Sequence, residues 1–345
     1  MKKKVLLGFS GGVDSSCAAV ILKNEGYEVH GLYFDVLENG DADAKKMAEL
    51  TAGKIGIELK TVNVSERFEE TVIKPFCKAY SDGITPNPCI MCNPELKFAV
   101  LAEEAEKIGA DYIATGHYAN IQRINNYYYV TKAVNEQKDQ SYMLCRLGQD
   151  ILSRLLLPLG SFESKDQIRE MARTLELPNS ETKDSQDICF IQNDDYKSFL
   201  KNRNIEPKSG DFISEDGTIY GPHQGHYCYT VGQRKGLGIA LGKPAFVTDI
   251  RFDGNIVLGS NEDLFRKNVL IENVRYCGLE AVKGGRFYAK LRYTRSEAEC
   301  FLEPVDNNCA ILMFKDAQRA PTPGQEAVIY KEGRVVACGT ISRQK

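Results

Sequence analysis

Lys4-Val5-Leu6-Leu7-Gly8-Phe9-Ser10-Gly11-Gly12-Val13-Asp14-Ser15-Ser16 is the stretch on which the reading of the whole chain turns. An apolar run of strand length, Val5 to Phe9, meets Ser10-Gly11-Gly12 and then a run of good helix formers, Cys17 to Lys23. Strand, glycine turn and helix in that order make an anion site. The glycines let the backbone approach a phosphate, and unpaired amides at the positive end of the helix dipole face it. Ser10, Ser15 and Ser16 add hydroxyl donors, and Asp14 is placed to hold Mg2+ against the phosphates. A Walker loop would read Gly-x-x-x-x-Gly-Lys-Ser/Thr, and its lysine is missing. The bland alternative is a plain glycine turn between a strand and a helix.

Outward from that loop, Glu28–Phe34 reads as a second strand, 42–55 as a helix, Glu58–Val64 as a third strand and 66–77 as another helix. Strands alternating with helices predict an α/β fold, a doubly wound parallel sheet. Ligands of such sheets sit at the carboxyl ends of the strands. The Ser10 loop, Phe34 and the segment Ile113-Ala114-Thr115-Gly116-His117-Tyr118 are expected there. Phe34 is placed either to flank an adenine or to fill the core, and Gly116 would let a nucleotide come close. His117 is a lone histidine, raised only by its place at a strand end.

The cysteines supply the second signal. Thr85-Pro86-Asn87-Pro88-Cys89-Ile90-Met91-Cys92-Asn93 holds two prolines that argue against a helix, so Cys89 and Cys92 are expected on a rigid loop. A helix over 95–108 follows, which would set Cys92 just before a helix N-terminus and favour its thiolate. The rival is half of a zinc site, but no second pair at similar spacing exists. Cys189, in the apolar run Ile188-Cys189-Phe190-Ile191, reads by itself as a buried core cysteine. Between these lie an expected hairpin over 120–131 turning at Asn125-Asn126, the cluster Lys138-Asp139-Gln140-Ser141-Tyr142, and helices over 164–175, N-capped by Ser164, and 194–201.

Composition bounds the classes. The 345 residues are 43% hydrophobic and 26% charged, with no run long enough to span a membrane. The start Met1-Lys2-Lys3-Lys4 leads into a short strand rather than a secretory segment, and eleven cysteines then suggest a reducing, cytoplasmic setting. Net charge is −3, but residues 1–200 carry 23 basic and 30 acidic side chains while 201–345 carry 21 and 17. The positive balance of the C-terminal part suits a polyanion. There the texture turns β-rich: Tyr229-Thr230-Val231-Gly232-Gln233-Arg234 opens a glycine-punctuated basic loop, and six runs from Leu270 to Ile341 are spaced like a small barrel. Arg292, Tyr293 and Arg295 group base-stacking and phosphate-binding side chains.

The Ser10–Ser16 string resembles the PP-loop of ATP pyrophosphatases, which cleave ATP to AMP and pyrophosphate and adenylate a substrate oxygen. Over nearly its whole length the chain resembles the tRNA-specific 2-thiouridylases. The resemblance rests on that loop, Thr85–Pro88, Cys92-Asn93, Ala114–Tyr118, Lys138–Tyr142, Ser185-Gln186-Asp187-Ile188-Cys189-Phe190 and Tyr229–Arg234. It implies a PP-loop catalytic domain over 1–200, a small central domain over 201–268 and a C-terminal β-barrel over 269–345, expected to act as a monomer. It also implies sulfur insertion at position 2 of the wobble uridine in tRNAs for Glu, Gln and Lys, held by the anticodon arm. ATP and Mg2+ would be bound by Gly8, Phe9, Ser10, Gly11, Gly12, Val13, Asp14, Ser15, Phe34 and Gly116. The position matching Cys189 carries a persulfide in the family's usual account, which overrides its reading as core, and Cys92 attacks the base or frees the sulfur. Asn87, Pro88 and Cys89 would border the flipped base. His117, Lys138, Asp139, Gln140, Arg292, Tyr293 and Gln325 match tRNA-facing positions. A cysteine desulfurase or sulfur-relay protein would be the donor.

One departure opens a second route. Many family members have aspartate where this chain has Cys89. Three thiolates, Cys89, Cys92 and Cys189, could instead ligate a [4Fe–4S] cluster that carries sulfide on its fourth iron. Two rivals complete the set: a PP-loop ligase or amidotransferase acting on a small molecule, and a non-catalytic RNA-binding or iron–sulfur scaffold.

Overall fold

The computed structural model describes residues 2–37, 42–182, 188–191, 193, 195–294 and 296–343. The chain divides into two compact units. The first comprises 1–72, 89–186 and 332–335, the second 73–88, 187–331 and 336–345. Among the described residues no helix is long and apolar enough to cross a membrane.

In the first unit, β1 (Lys4–Gly8), β2 (Glu28–Asp35), β3 (Glu58–Asn63), β4 (Tyr112–Thr115) and β7 (Leu155–Leu156) form a parallel sheet in the order β3-β2-β1-β4-β7. The hairpin β5 (Asn120–Ile124) and β6 (Tyr127–Thr131) turns at Asn125, whose φ of 53° is the left-handed conformation asparagine tolerates. Helices α1 (Val13–Asn24) and α2 (Ala42–Ile55) pack with the helix Lys165–Thr174 around a core of Val5, Leu7, Phe9, Cys17, Ala48, Ala52, Ala114 and Ile168. Strand order reverses between β1 and β4, with Gly8 opposite both Leu32 and Thr115. The loops after these two strands therefore open the crevice where such sheets bind ligands.

Two helical runs depart from expectation. The run expected over 66–77 extends from Ser65 to Ser81 through a wider π turn at Glu69–Ile73, and a second π turn occupies Asn93–Lys97. Pro75 and Pro94 explain both, since neither ring nitrogen can donate to the carbonyl four residues back and the ladder widens beside it. More consequential, Pro88 starts a helix, Pro88–Cys92, that continues through Asn93–Lys97 into Phe98–Lys107. Cys89 and Cys92 thus lie on a helical turn, not on a loop. Proline breaks a helix interior but suits its first position, where its N–H would be orphaned anyway.

In the second unit, β8 (Asp211–Ile213), β9 (Ile219–Pro222), β10 (Phe246–Ile250) and β11 (Ile256–Gly259) form a four-stranded sheet over Phe212, Tyr229, Val247, Ile256 and Leu258. Strands β12 (Phe265–Tyr276), β13 (Gly285–Lys290), β14 (Ala298–Pro304), β15 (Ala310–Arg319), β16 (Glu326–Lys331) and β17 (Arg334–Ile341) run in the order β12-β15-β14-β13-β16-β17, and β17 pairs back with β12. That closes a six-stranded barrel, one strand for each of the six expected runs. The helix Lys74–Ser81 packs in this unit: Phe76 meets Phe190 at 5.2 Å edge to face, and Tyr80 stacks on Tyr196 at 4.7 Å.

Candidate active site

The Ser10 loop is held from three directions. Gly11 has φ +74°, and a Cβ there would lie 2.6 Å from Ala48 Cα, so α2 packs directly against the loop backbone. Asn179, fully buried, donates through Nδ2 to Gly11 O at 2.6 Å and to Ser16 Oγ at 2.9 Å. From the side of β4, a Cβ on Gly116 would meet Ser15 N at 2.9 Å, so this backbone crosses directly over the start of α1. Inside the loop Gly12 N donates to Ser10 Oγ at 3.3 Å, and the Ser15 and Ser16 hydroxyls donate to Gly12 O at 3.0 and 2.9 Å. Ser10 is exposed at the mouth, while Phe9 and Val13 bury their side chains in the core and can offer a ligand only backbone.

Asp14 is the charged centre. Tyr118 donates its hydroxyl to Asp14 Oδ1 at 2.6 Å, and Lys165 donates its ammonium to the same oxygen. Oδ2 takes neither bond, which leaves a carboxylate oxygen suited to Mg2+. Phe34 is half-buried at the end of β2, its Cε2 3.4 Å from where a Gly8 side chain would begin. Its ring therefore stands beside the loop and not in the core.

Next to the loop, His117 Nδ1 shares a hydrogen bond with Thr115 Oγ1 at 2.8 Å and its ring lies 6.0 Å from Phe98. Burial, and secondarily the Lys97 charge, push its pKa down to about 3. It is a neutral imidazole at physiological pH. Gln140 is tied to the same corner: Tyr118 N donates to Gln140 Oε1 at 2.8 Å, and Gln140 N donates to Tyr118 O at 2.7 Å. Asp139 is buried, accepting from Ala133 N at 3.0 Å, Ser141 N at 3.1 Å and Ser141 Oγ at 2.8 Å. Its carboxylate shapes the segment from inside. Lys138 is half-buried on the same stretch.

Cys89 is half-buried and Cys92 is 5% exposed. They stand three residues apart on one turn, hence on one helix face. Cys92 sits one turn inside the helix and not ahead of its N-terminus, so the dipole argument for its thiolate does not carry over. Asn93, buried beside it, donates Nδ2 to Met143 O at 2.7 Å. Cys189 departs from its reading as core. It is exposed on a tight turn closed by Ile191 N donating to Ile188 O at 2.9 Å, while Phe190 and Ile191 point inward. Cys17, nearest the Ser10 loop in sequence, is no rival: burial and then Asp14 push its thiol up to about 12.

In the second unit, Asn87 is half-exposed and Pro88 buried. Their segment is fixed by Thr85 N donating to Pro323 O at 3.1 Å and Gln325 Nε2 donating to Thr85 O at 2.9 Å. Gln325 therefore fixes the Thr85–Pro88 segment of this unit. Arg292 donates to Val231 O at 3.1 Å and to Thr322 Oγ1, which ties the barrel to the glycine-rich loop. Its neighbour Tyr293 is half-exposed. Arg295 and the motif residues Ser185, Gln186 and Asp187 lie outside the described residues.

Three contributors escape a reading of the sequence: Lys165, Tyr118 as a partner of Asp14, and Asn179. Lys165 and Asn179 reach the loop from 151 and 168 residues away, a separation no local pattern encodes. One signal was available, the Ser164 N-cap. Ser164 Oγ accepts from Gln167 N at 3.4 Å while Gln167 Oε1 accepts from Ser164 N at 3.2 Å, a capping box that fixes Lys165 in the first turn.

A parallel sheet whose switch point carries a Ser-Gly-Gly-Val-Asp-Ser-Ser loop, without a Walker lysine, defines a PP-loop enzyme that uses ATP with Mg2+. Residues 3–193 match the family described as tRNA methyl transferase HUP domain, 197–260 the tRNA methyl transferase PRC-barrel domain, and 266–341 the aminomethyltransferase beta-barrel domain. The chain is 39% identical to the tRNA-specific 2-thiouridylase MnmA 2 of Clostridium botulinum strain Okra, covering 99% of this chain and 100% of that one. It is 40% identical to tRNA-specific 2-thiouridylase MnmA of Clostridioides difficile, covering 99% of both. The MnmA 2 of Clostridium tetani is likewise 40% identical, over 99% of both chains. This chain belongs to the family of tRNA-specific 2-thiouridylases.

Proposed function

We propose that this protein replaces the 2-oxygen of the wobble uridine of tRNA with sulfur, using ATP. The observation that carries the reading is the loop cradle: glycine backbone and serine hydroxyls with Asp14 at its edge. A carbonyl oxygen is a poor leaving group, so adenylation must come first. The uridine O2 attacks the α-phosphorus, the bond to the bridging oxygen breaks, and pyrophosphate leaves with the electron pair toward Ser10, Gly11 and Gly12. A sulfur nucleophile then displaces AMP. Methyl transfer, the wording of the family description, would need no such loop, whereas a loop suited to ATP phosphates together with an exposed thiol at Cys189 suits thiolation.

Cys189, exposed on its turn, suits a carrier that must meet a donor enzyme. Its persulfide would attack C2 as AMP leaves, and Cys92 thiolate would then attack the Cys189 sulfur, releasing thiouridine and leaving a disulfide for an external thiol to reduce. The alternative is a [4Fe–4S] cluster held by Cys89, Cys92 and Cys189, which would supply sulfide directly. Two thiols on one helical turn suit adjacent cluster ligands. We assign the tRNAs for Glu, Gln and Lys as substrates, with His117, Lys138, Gln140, Tyr293 and the Asn87–Cys89 segment toward the RNA. A cysteine desulfurase or relay protein as donor, a cytoplasmic monomer, and domains over 1–200, 201–268 and 269–345 complete the proposal.

The test is thiolation of unmodified tRNA by anaerobically purified protein, read as retardation on mercury-containing gels alongside AMP release. Thiolated tRNA that depends on ATP and on Cys92 and Cys189 is the expected result. AMP release that tRNA leaves unchanged would instead favour a small-molecule ligase. Iron near four per chain, with Cys89→Ala inactive, selects the cluster; an iron-free enzyme and an active Cys89→Ala select the persulfide.

A further inference from the structure

Lys165 comes from a different part of the chain than the Ser10 loop, yet its side chain is only 11% exposed and its ammonium lies on Asp14. The capping box sets its backbone at the first position of the helix Lys165–Thr174, and the Tyr118 ring lies 5.5 Å from its Nζ. A lysine so enclosed loses hydration and needs an anionic partner. Asp14 is one such partner. We propose that Lys165 is the phosphate-facing cation of this site, supplying from another helix the charge that the missing Walker lysine would have given. The assignment rests on the PP-loop reading above. A metal held on Asp14 Oδ2 would draw on the same negative charge that holds the ammonium at Oδ1, so that Lys165 can turn to the phosphates. There its N–H groups face the oxygens on which negative charge accumulates as the α-phosphorus–oxygen bond breaks. Tyr118 keeps its bond to Asp14 Oδ1 and acts as a positioning residue. No proton need be transferred, because pyrophosphate leaves already ionised.

Binding of inorganic pyrophosphate, ATP and adenosine to the full chain, measured by calorimetry with and without Mg2+, tests this. Lys165→Met is expected to weaken pyrophosphate and ATP at least tenfold, to leave adenosine within about twofold, and Lys165→Arg to recover most of the loss. In a cycle with Asp14→Asn, the gain in metal-free pyrophosphate affinity from Asp14→Asn should be several-fold larger while Lys165 is present. Unchanged pyrophosphate affinity in Lys165→Met, or equal losses for adenosine and pyrophosphate, overturns the assignment and reduces Lys165 to a structural partner of Asp14. Should Lys165→Met fail to fold, Lys165→Gln is read in the same way. Wild-type protein that binds neither ATP nor pyrophosphate removes the PP-loop reading itself, a different result from a variant that binds as wild type.

Discussion

Two residues beside the loop make separable demands. His117 stays neutral down to about pH 3 in the folded chain, whereas an unfolded histidine protonates near 6.5. Between those values the unfolded state binds more protons. Its contribution to stability is therefore complete above pH 6.5 and declines as pH falls, by at most about 1.4 kcal/mol per unit. Urea unfolding at pH 7 and pH 5 should show a smaller loss for His117→Asn than for wild type, and parallel losses would contradict an imidazole held below its ordinary pKa. Gly11→Ala puts a methyl against Ala48 backbone at a left-handed φ. A strain of about 1–3 kcal/mol plus displacement of α2 should lower the melting temperature and abolish measurable ATP binding. The glycines and serines of this loop were legible because strand, turn and helix chemistry are local. Asn179 was not, since a lone asparagine after a helix looks like any other.

Elements show the same boundary between local and distant causes. Helix Lys165–Thr174 was legible to within a residue, its capping serine included, but nothing in its sequence says that its first turn faces the Ser10 loop. Ser164→Ala should cost about 1 kcal/mol of stability by chemical denaturation. It should also weaken ATP binding, because the turn that carries Lys165 frays; a variant that loses stability and keeps full affinity would separate the cap from the site. The cysteine turn went the other way. Two prolines signalled a loop, yet Pro88 is the one residue of that stretch well suited to open a helix. Cys189 reads as core from its apolar neighbours, but the tight turn exposes it while burying Phe190 and Ile191, and no periodicity reports that.

At the scale of the molecule, the six barrel runs and the β/α alternation were legible because periodicity of two and alternation of elements survive without long-range information. The partition of the chain was not. Residues 73–88 lie between two stretches of the first unit in sequence and pack in the second. Their contacts include Phe190, Tyr196, Phe199, Pro323 and Gln325. A protein ending at residue 193 retains the Ser10 loop but strands Phe76 and Tyr80 without Tyr196 and Phe199. It should be recovered largely as aggregate or be cut by trypsin near Lys74 and Lys78, whereas the full chain resists at these sites. A soluble 1–193 fragment that resists trypsin there would show that this helix finds other cover.

The anchor of Thr85 on Pro323 and Gln325 also dictates when its segment is fixed during synthesis. Thr85 and Gln325 are 240 residues apart. At roughly 5–20 residues per second, a ribosome takes about 12–48 s to cover that distance. Throughout that interval the Ser10 loop has already emerged, and the Thr85–Pro88 segment lacks its partners Pro323 and Gln325. The segment leading into the Cys89–Cys92 turn is therefore among the last to be fixed, after Lys165 and Asn179 have already reached the Ser10 loop.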